Sequence, residues 1–344
     1  MRLLIITQVV DTNHPILGFF HRWIEEFAKK YEHIHVICLQ EGEHNFPENV
    51  TVHSLGKEKG NSRMGYLVRF YKLIWGLRKD YDDVFVHMNQ VYVLLGALIW
   101  RSQGKKVGLW YAHGTVTLSL RMAVVLVNFV VTSTKEGLQI QTKKRKLVGQ
   151  GIDVEAFKPC HSDSLGYLRL VTVGRISQSK NLETLLGACA ILNSNDFAFR
   201  FKIIGAVSTE TEKEYEVKIK KLIIELGLEQ KVDWAGAVLQ PALPKHLQNS
   251  DVFIHDGSTG SLDKVLIEAV LCGCVVTSSN PAYRNVTESV LPDLLFKQGD
   301  FKALARIIEK RHTDSEKSSE LIRLFKKEFA VTNLIEKITR NYQS

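Results

Sequence analysis

Residues 168–192 read LRLVTVGRISQSKNLETLLGACAIL. The opening LRLVTV is a short aliphatic and β-branched run, the composition of a buried strand. NLETLLGACAIL reads as a helix. Between them a loop carries Gly174, Arg175 and Lys180. Strand, loop and helix in this order form half of a β-α-β unit, and the pattern continues outward. Downstream, FRFKIIGA, VDWAGAV, DVFIHD and CVVTSS read as strands, separated by helical segments such as TEKEYEVKIKKLIIELGL and a helix from about Ser261. Upstream, RLLIITQ, HIHVICLQ, DDVFVHM, KVGLWYAH and FVVTST read as strands, again with helices between them. Alternation of this kind predicts mostly parallel sheets covered on both faces. LVGQGIDVEAFKPCHSDSLGY, with three glycines and a proline, interrupts it and reads as a linker at about residues 148–166.

The chain has 344 residues, too many for one ordinary core. We therefore expect two Rossmann-like domains, 1–150 and 151–325, and a C-terminal helix over 326–344 that packs back on the first. A charged fraction of 24% with 45% hydrophobic residues excludes a disordered chain. Five scattered cysteines show neither a disulfide framework nor zinc spacing, which fits a reducing, cytoplasmic setting. No apolar run approaches the ~20 residues of a membrane helix. Charge is unevenly spread. Residues 1–150 hold 20 Lys and Arg against 12 Asp and Glu, and the remainder holds 25 of each. The net +8 thus lies wholly in the first half and points to an anionic partner there or to a solubilising surface.

Several motifs are missing. There is no Gly-x-Gly-x-x-Gly after the first strand, no Walker-type phosphate loop and no Gly-x-Ser-x-Gly elbow. The Asp80–Asp82 pair precedes a strand and reads as solvated turn carboxylates rather than a metal site. What remains is a set of strand ends. Arg175 and Lys180 share one loop, where they form either a diphosphate clamp or two solvated cations. Gly174, Gly205 and Gly236 end strands, allowing close approach of a ligand or simply a tight turn. GSTGSLDKVLIEAVLCGC, residues 257–274, joins a glycine loop to an apolar helix whose N-terminus suits an anion. Glu268 within that helix needs a partner, which a ribose or a lysine could supply.

In their order these segments resemble the GT-B glycosyltransferases, specifically the retaining family 4. The matching pieces are GQGIDVEAFKP, VGRISQSKN, KIIGAV, VDWAGAV and GSLDKVLIEAVLCGCVV. The resemblance spans nearly the whole chain. It implies two Rossmann-like domains facing across a cleft. Arg175 and Lys180 would hold a nucleotide diphosphate beside Gly174 and Gly205. Glu268 would bind ribose hydroxyls, and Gly260, Ser261 and Leu262 would present amides to phosphate or sugar. Gly236 and Val238 would lie near the base. Gly18 would bring the loop after the first strand to the diphosphate, and His113 would stand beside the transferred sugar on the acceptor side. The chain departs from the family at one place: Gly260 stands where the first of two paired glutamates is expected.

The implied activity is metal-independent transfer of a sugar, with retention, from a UDP- or GDP-linked donor to a glycan or lipid-linked acceptor, with no cofactor. A sugar-nucleotide epimerase of the same architecture and a non-catalytic nucleotide-sugar binder are the alternatives. Nucleic acid is not an expected partner, because the cations lack interleaved aromatics. An anionic membrane surface at the inner face of the cell membrane is one, through Arg63–Lys79 and Lys143–Lys146. The apolar stripe of the first segment (Met64, Leu67, Val68, Tyr71, Ile74, Trp75) is more simply read as core-facing.

Overall fold

The computed structural model describes residues 1–160, 166–257, 262–310 and 315–343, with the side chains of 315–317 left aside. The chain divides into two compact units, Met1–Gly151 with Val331–Ser344, and Ile152–Ala330.

Unit 1 runs β1 (Arg2–Val10), α1 (Phe19–Ala28), β2 (His33–Glu41), β3 (Val50–Ser54), α2 (Arg63–Gly76), β4 (Asp83–His87), α3 (Gln90–Ser102), β5 (Val107–Trp110), α4 (Leu118–Leu126), β6 (Phe129–Thr132) and β7 (Arg145–Leu147). The strands lie in the order β3-β2-β1-β4-β5-β6-β7, and every pair is parallel. Leu3 of β1 stands opposite both Ile34 and Asp83, which fixes the central register. The central strands are buried on both faces, so they are apolar throughout rather than alternating. One face packs α2, α3 and α4 through Phe70, Ile74, Trp100 and Leu120. The other packs α1 through Phe20, Trp23 and Phe27. Each such ring stabilises the unit by about 1.5–3 kcal/mol.

Two strands escape a reading by composition, and both are at edges. β3 is half-exposed. β7 is cut from the basic run 143–146, where cations suit an edge strand. Within that run Lys144 turns inward. Its Nζ donates to the carbonyls of Val125 and Val127, each at 2.7 Å, and so closes the C-terminal end of α4. Arg145 Nη1 likewise donates to the Leu138 carbonyl at 3.2 Å. Of the Asp-x-Asp pair, Asp82 binds the Arg2 backbone and guanidinium at 2.8 and 3.1 Å, a structural role. The α2 stripe corrects the core-facing reading. Ile74 is buried, but Met64, Val68, Tyr71 and Trp75 are exposed. Phe70 and Ile74 mark the true inner face, displaced around the helix from the stripe.

Unit 2 runs β8 (Leu168–Val173), α5 (Leu182–Ser194), β9 (Phe199–Ile204), α6 (Glu210–Glu225), β10 (Val232–Gly236), α7 (Leu243–Gln248), β11 (Val252–His255), α8 (Lys264–Leu271), β12 (Val275–Ser278), α9 (Pro281–Thr287), α10 (Phe301–Glu309) and α11 (Ser315–Phe329). Its sheet is β10-β9-β8-β11-β12, again parallel throughout. α12 (Val331–Gln343) belongs to unit 1, where Leu334, Ile335 and Ile338 join the α1 face. Its Tyr342 hydroxyl donates to the Val84 carbonyl at 2.7 Å. No helix among the described residues is long and apolar enough to cross a membrane.

Candidate functional site

Where strand order reverses in an open parallel sheet, a crevice opens at the carboxyl ends. In unit 2 this point lies between β8 and β11. β8 runs out into Gly174 and Arg175, and β11 into Asp256 and Gly257. Lys180, in the short turn that leads into α5, points back into this corner. Its Nζ lies 2.5 Å from Asp263 Oδ2, and His255 Nε2 lies 2.9 Å from the same oxygen. The other ring nitrogen of His255 meets Ser278 Oγ at 3.1 Å. Burial alone would push the Asp263 carboxyl up. The His255 hydrogen bond and the Lys180 charge outweigh it and hold the carboxyl well below its usual range. The corner therefore holds an ionised Asp that fixes a cation.

The expected start of α8 near Ser261 is replaced by Lys264, with Asp263 in the N-cap position and an extended backbone. Its carboxylate makes no cap hydrogen bond; it is engaged by Lys180 and His255 instead. Gly260 and Ser261 lie outside the described residues. Leu262 buries its side chain in the unit 2 core.

Arg175 is 58% exposed, with Nη1 3.6 Å from Glu212 Oε1. The Glu212 carboxylate is held in turn by the Ser208 and Thr209 amides in the capping box that starts α6. The three strand-end glycines lie side by side. The Gly174 amide donates to the Ile204 carbonyl at 3.0 Å, and the Gly205 amide to the Gly236 carbonyl at 2.8 Å. A Cβ at Gly205 would stand 1.9 Å from the Gly174 oxygen, so only glycine lets these two strand ends meet. Gly174, Arg175, Lys180, Ile203 and His255 line one shallow pocket. Val238 sits half-buried just past β10.

Glu268 is 5% exposed on α8. Its Oε1 accepts a hydrogen bond from Gln240 Nε2 at 3.4 Å, and Lys264 lies one turn before it. Burial pushes the carboxyl up to about 7, with Lys264 and Gln240 pulling the other way. Burial likewise holds the Lys264 ammonium well below its usual range, opposed by Glu268. Of the two partners left open by sequence, ribose or lysine, a lysine is near enough to pull on the carboxyl, and the ribose belongs to the proposal below.

Unit 1 has its own reversal, between β1 and β4. Gly18 closes the loop after β1; its amide donates to the His14 carbonyl at 2.9 Å. A Cβ there would lie 2.7 Å from the Thr12 oxygen, so the loop's own backbone requires the glycine. His14 Nδ1 accepts from the Ile16 and Leu17 amides and shapes the same loop. His113 is exposed in the loop after β5, its ring 6.4 Å from that of Tyr111. Sequence reasoning passed over His255, Asp256 and His87. Each ends an apolar strand or directly follows one (DVFIHD, DDVFVHM), a signal visible in the sequence. Asp256 is fully buried and accepts from Ser279 Oγ at 2.5 Å and the Gly299 amide at 3.0 Å. His87 stacks on Phe20 with ring centroids 3.9 Å apart.

Two family models match the chain, "Glycosyl transferases group 1" over residues 157–327 and "Glycosyl transferase 4-like" over residues 12–131. The amylovoran biosynthesis glycosyltransferase AmsK of Erwinia amylovora is 28% identical over 174 residues, 48% of this chain and 41% of that protein. The putative colanic acid biosynthesis glycosyltransferase WcaL of Escherichia coli is 26% identical over 45% of this chain and 39% of its own length. The matches thus span less than half of these relatives. Among solved structures, Anabaena Alr3699/HepE in complex with UDP superposes over 100% of both chains with a TM-score of 0.78 at 18% identity. Its UDP-glucose complex gives 0.76 at 19%, over 100% of this chain and 99% of that one. Two parallel-sheet units with the GT-B architecture, matched in both halves by these models, establish that the chain belongs to the group 1 glycosyltransferases, family 4.

Proposed function

We propose that the protein moves a sugar from a nucleoside-diphosphate donor, UDP-linked in the first instance and GDP-linked otherwise, to a glycan or lipid-linked acceptor with retention at the anomeric carbon. The observation that carries this reading is that Arg175 and Lys180 line one pocket beside the glycine-ended strands at the unit 2 reversal. As the anomeric bond breaks, its electron pair passes to the leaving diphosphate. Two cations there would stabilise the transition state more than the ground state. Lys180 is aligned beforehand by ionised Asp263, so little reorganisation is required. Side-chain cations do this work without a metal ion.

The other roles follow the family resemblance. Gly18, Gly174 and Gly205 would border the diphosphate, and the amides at Gly260, Ser261 and Leu262 the phosphate or sugar. Gly236 and Val238 would border the base, Glu268 the ribose, and His113 the sugar on the acceptor side. The UDP and UDP-glucose complexes of HepE support a UDP donor. The amylovoran and colanic acid biosynthesis glycosyltransferases support a role in polysaccharide synthesis; a glycan acceptor at the cytoplasmic face of the membrane follows the family resemblance.

Thermal unfolding with UDP-, GDP- and ADP-sugars, each with and without EDTA, tests the reading. A donor that binds only the folded state raises the midpoint. We expect a rise with one donor class, unaffected by EDTA, and sugar transfer or slow donor hydrolysis by the same protein. Free epimer formed without acceptor would assign an epimerase. Binding with neither transfer nor hydrolysis would assign a nucleotide-sugar binder, and no rise with any donor would remove the reading altogether.

A further inference from the structure

The outer surface of the α2–α3–α4 layer is unlike the rest of unit 1. Helices 63–76, 90–102 and 118–126 contain no Asp or Glu, while Arg63, Arg69, Lys72, Arg101 and Arg121 on them are exposed. The opposite layer is ordinary. There Glu25 and Glu26 of α1 pair with Arg22 and Lys29, and Glu336 of α12 pairs with Arg340.

The same outer surface leaves large apolar side chains uncovered. On α2, Met64, Val68, Tyr71 and Trp75 recur at helical spacing, and Trp75 is 58% exposed. Leu98 of α3 is 69% exposed. Leu118, Met122 and Val125 of α4 are 75%, 52% and 69% exposed. None of these is needed by the core, which α2, α3 and α4 build from Phe70, Ile74, Trp100 and Leu120. Each stripe carries a cation within one turn. Lys72 falls between Val68 and Trp75, Arg101 follows Leu98, and Arg121 falls between Leu118 and Val125. The Arg78 guanidinium lies over the Trp75 ring, 4.8 Å from its centroid.

A solvated face would mix both signs of charge. Here apolar and cationic side chains interleave across three helices. We infer that this face docks on an anionic phospholipid surface, with the apolar side chains entering the headgroup boundary and the Lys and Arg heads at the lipid phosphates. A second copy of the chain fits poorly as occupant. A two-fold interface would set this acid-free, cationic surface against itself. The inference extends the membrane expectation to α3 and α4, which sequence did not single out. It also withdraws Lys144 and Arg145, whose side chains are turned to backbone carbonyls. It rests on the proposed transferase only for its setting, since docking needs no donor.

Co-sedimentation of the full chain with phosphatidylcholine vesicles, with and without phosphatidylglycerol, tests it. The expected result is binding only where phosphatidylglycerol is present, weakened by salt. Lys72→Glu with Arg121→Glu should lower the bound fraction about tenfold or more. Trp75→Ser with Val125→Ser should also lower it, although the charge is unchanged. Both pairs are exposed, so their thermal midpoints should match the parent, and any donor-induced rise should persist, which separates this proposal from the donor reading. It is overturned if vesicles without phosphatidylglycerol bind equally well, if neither vesicle binds, or if both variant pairs bind like the parent. A concentration-dependent dimer abolished by the same substitutions would assign the face to a second copy and overturn it as well.

Discussion

The two sheets share one strand order through their first five strands, and so share one kind of crevice. They fill it differently. At the unit 2 reversal, Lys180, Asp263 and His255 form an ion-paired chain backed by Ser278. At the unit 1 reversal, His87 is stacked on Phe20, with Phe19 and Trp23 edge-on to it and Trp23 edge-on to Trp110. One corner is built to hold charge in place and the other to pack rings. The fold supplies the crevice; the side chains at the strand ends decide what chemistry it can hold. A diphosphate suits the first and not the second.

The heaviest test of that contrast is the buried pair on α8. If charge coupling organises this side of unit 2, Glu268→Leu strands Lys264 in the core. Losing one partner of a buried pair costs roughly 3–5 kcal/mol. The double variant Glu268→Leu with Lys264→Leu should recover most of it. Urea unfolding measures both. A single variant that costs less than about 1 kcal/mol would show that the pair does not hold the helix.

Next in size is catalysis. Removing one preorganised donor typically costs about 2.7–4 kcal/mol of barrier, so Arg175→Ala or Lys180→Ala should lower turnover about a hundredfold or more. Either should also shrink the donor-induced thermal shift. His113→Ala, in the unit 1 loop, should lower turnover while leaving that shift intact. Near-normal turnover without Arg175 or Lys180 removes the diphosphate assignment. A lost donor shift in His113→Ala would erase the distinction between the two units.

The difference between the corners was only partly legible in sequence. Strand and helix alternation shows through because central strands buried on both faces must be apolar. Edge strands such as β7 escape because cations belong there, and the basic run hides a strand behind its charge. Arg175, Lys180 and Glu268 stand out as charges in apolar or glycine-rich surroundings. What they touch does not. Nothing in the order of residues ties Asp263 to Lys180, and only the fold brings them together across 83 positions. A buried glutamate asks for a partner, a ribose or a lysine, and periodicity does not say which. The α2 stripe misled for a related reason. Apolar periodicity reports that a helix has an apolar face, not that the face turns inward.

Acid should separate the two units by a smaller effect. His35 on β2 is buried between His33 on its own strand and His53 on β3, with Nδ1 3.2 Å from His53 Nε2. Burial lowers it to about 4, helped by the charges of His33, His53 and Arg2 and opposed by Asp80. Unfolded, it titrates near 6.5. The folded state therefore binds the proton less readily than the unfolded one. The stability linked to a neutral His35 is complete above pH ~6.5, declines as pH falls toward ~4, and amounts to about 3 kcal/mol at most. Asp263 has the same sign over a lower window: held below its usual range, it keeps its contribution until pH falls below ~4. Asp83 in unit 1 has the opposite sign to His35, since burial raises it to about 6. His35→Gln isolates the histidine. Amide hydrogen exchange between pH 6.5 and 4 should show β2 and β3 losing more protection in the parent than in His35→Gln, since Asp83 contributes equally to both, while β8 and β9 change alike in the two proteins. Equal loss in both sheets, or a fall unchanged in the variant, would show that His35 does not set the acid response of unit 1.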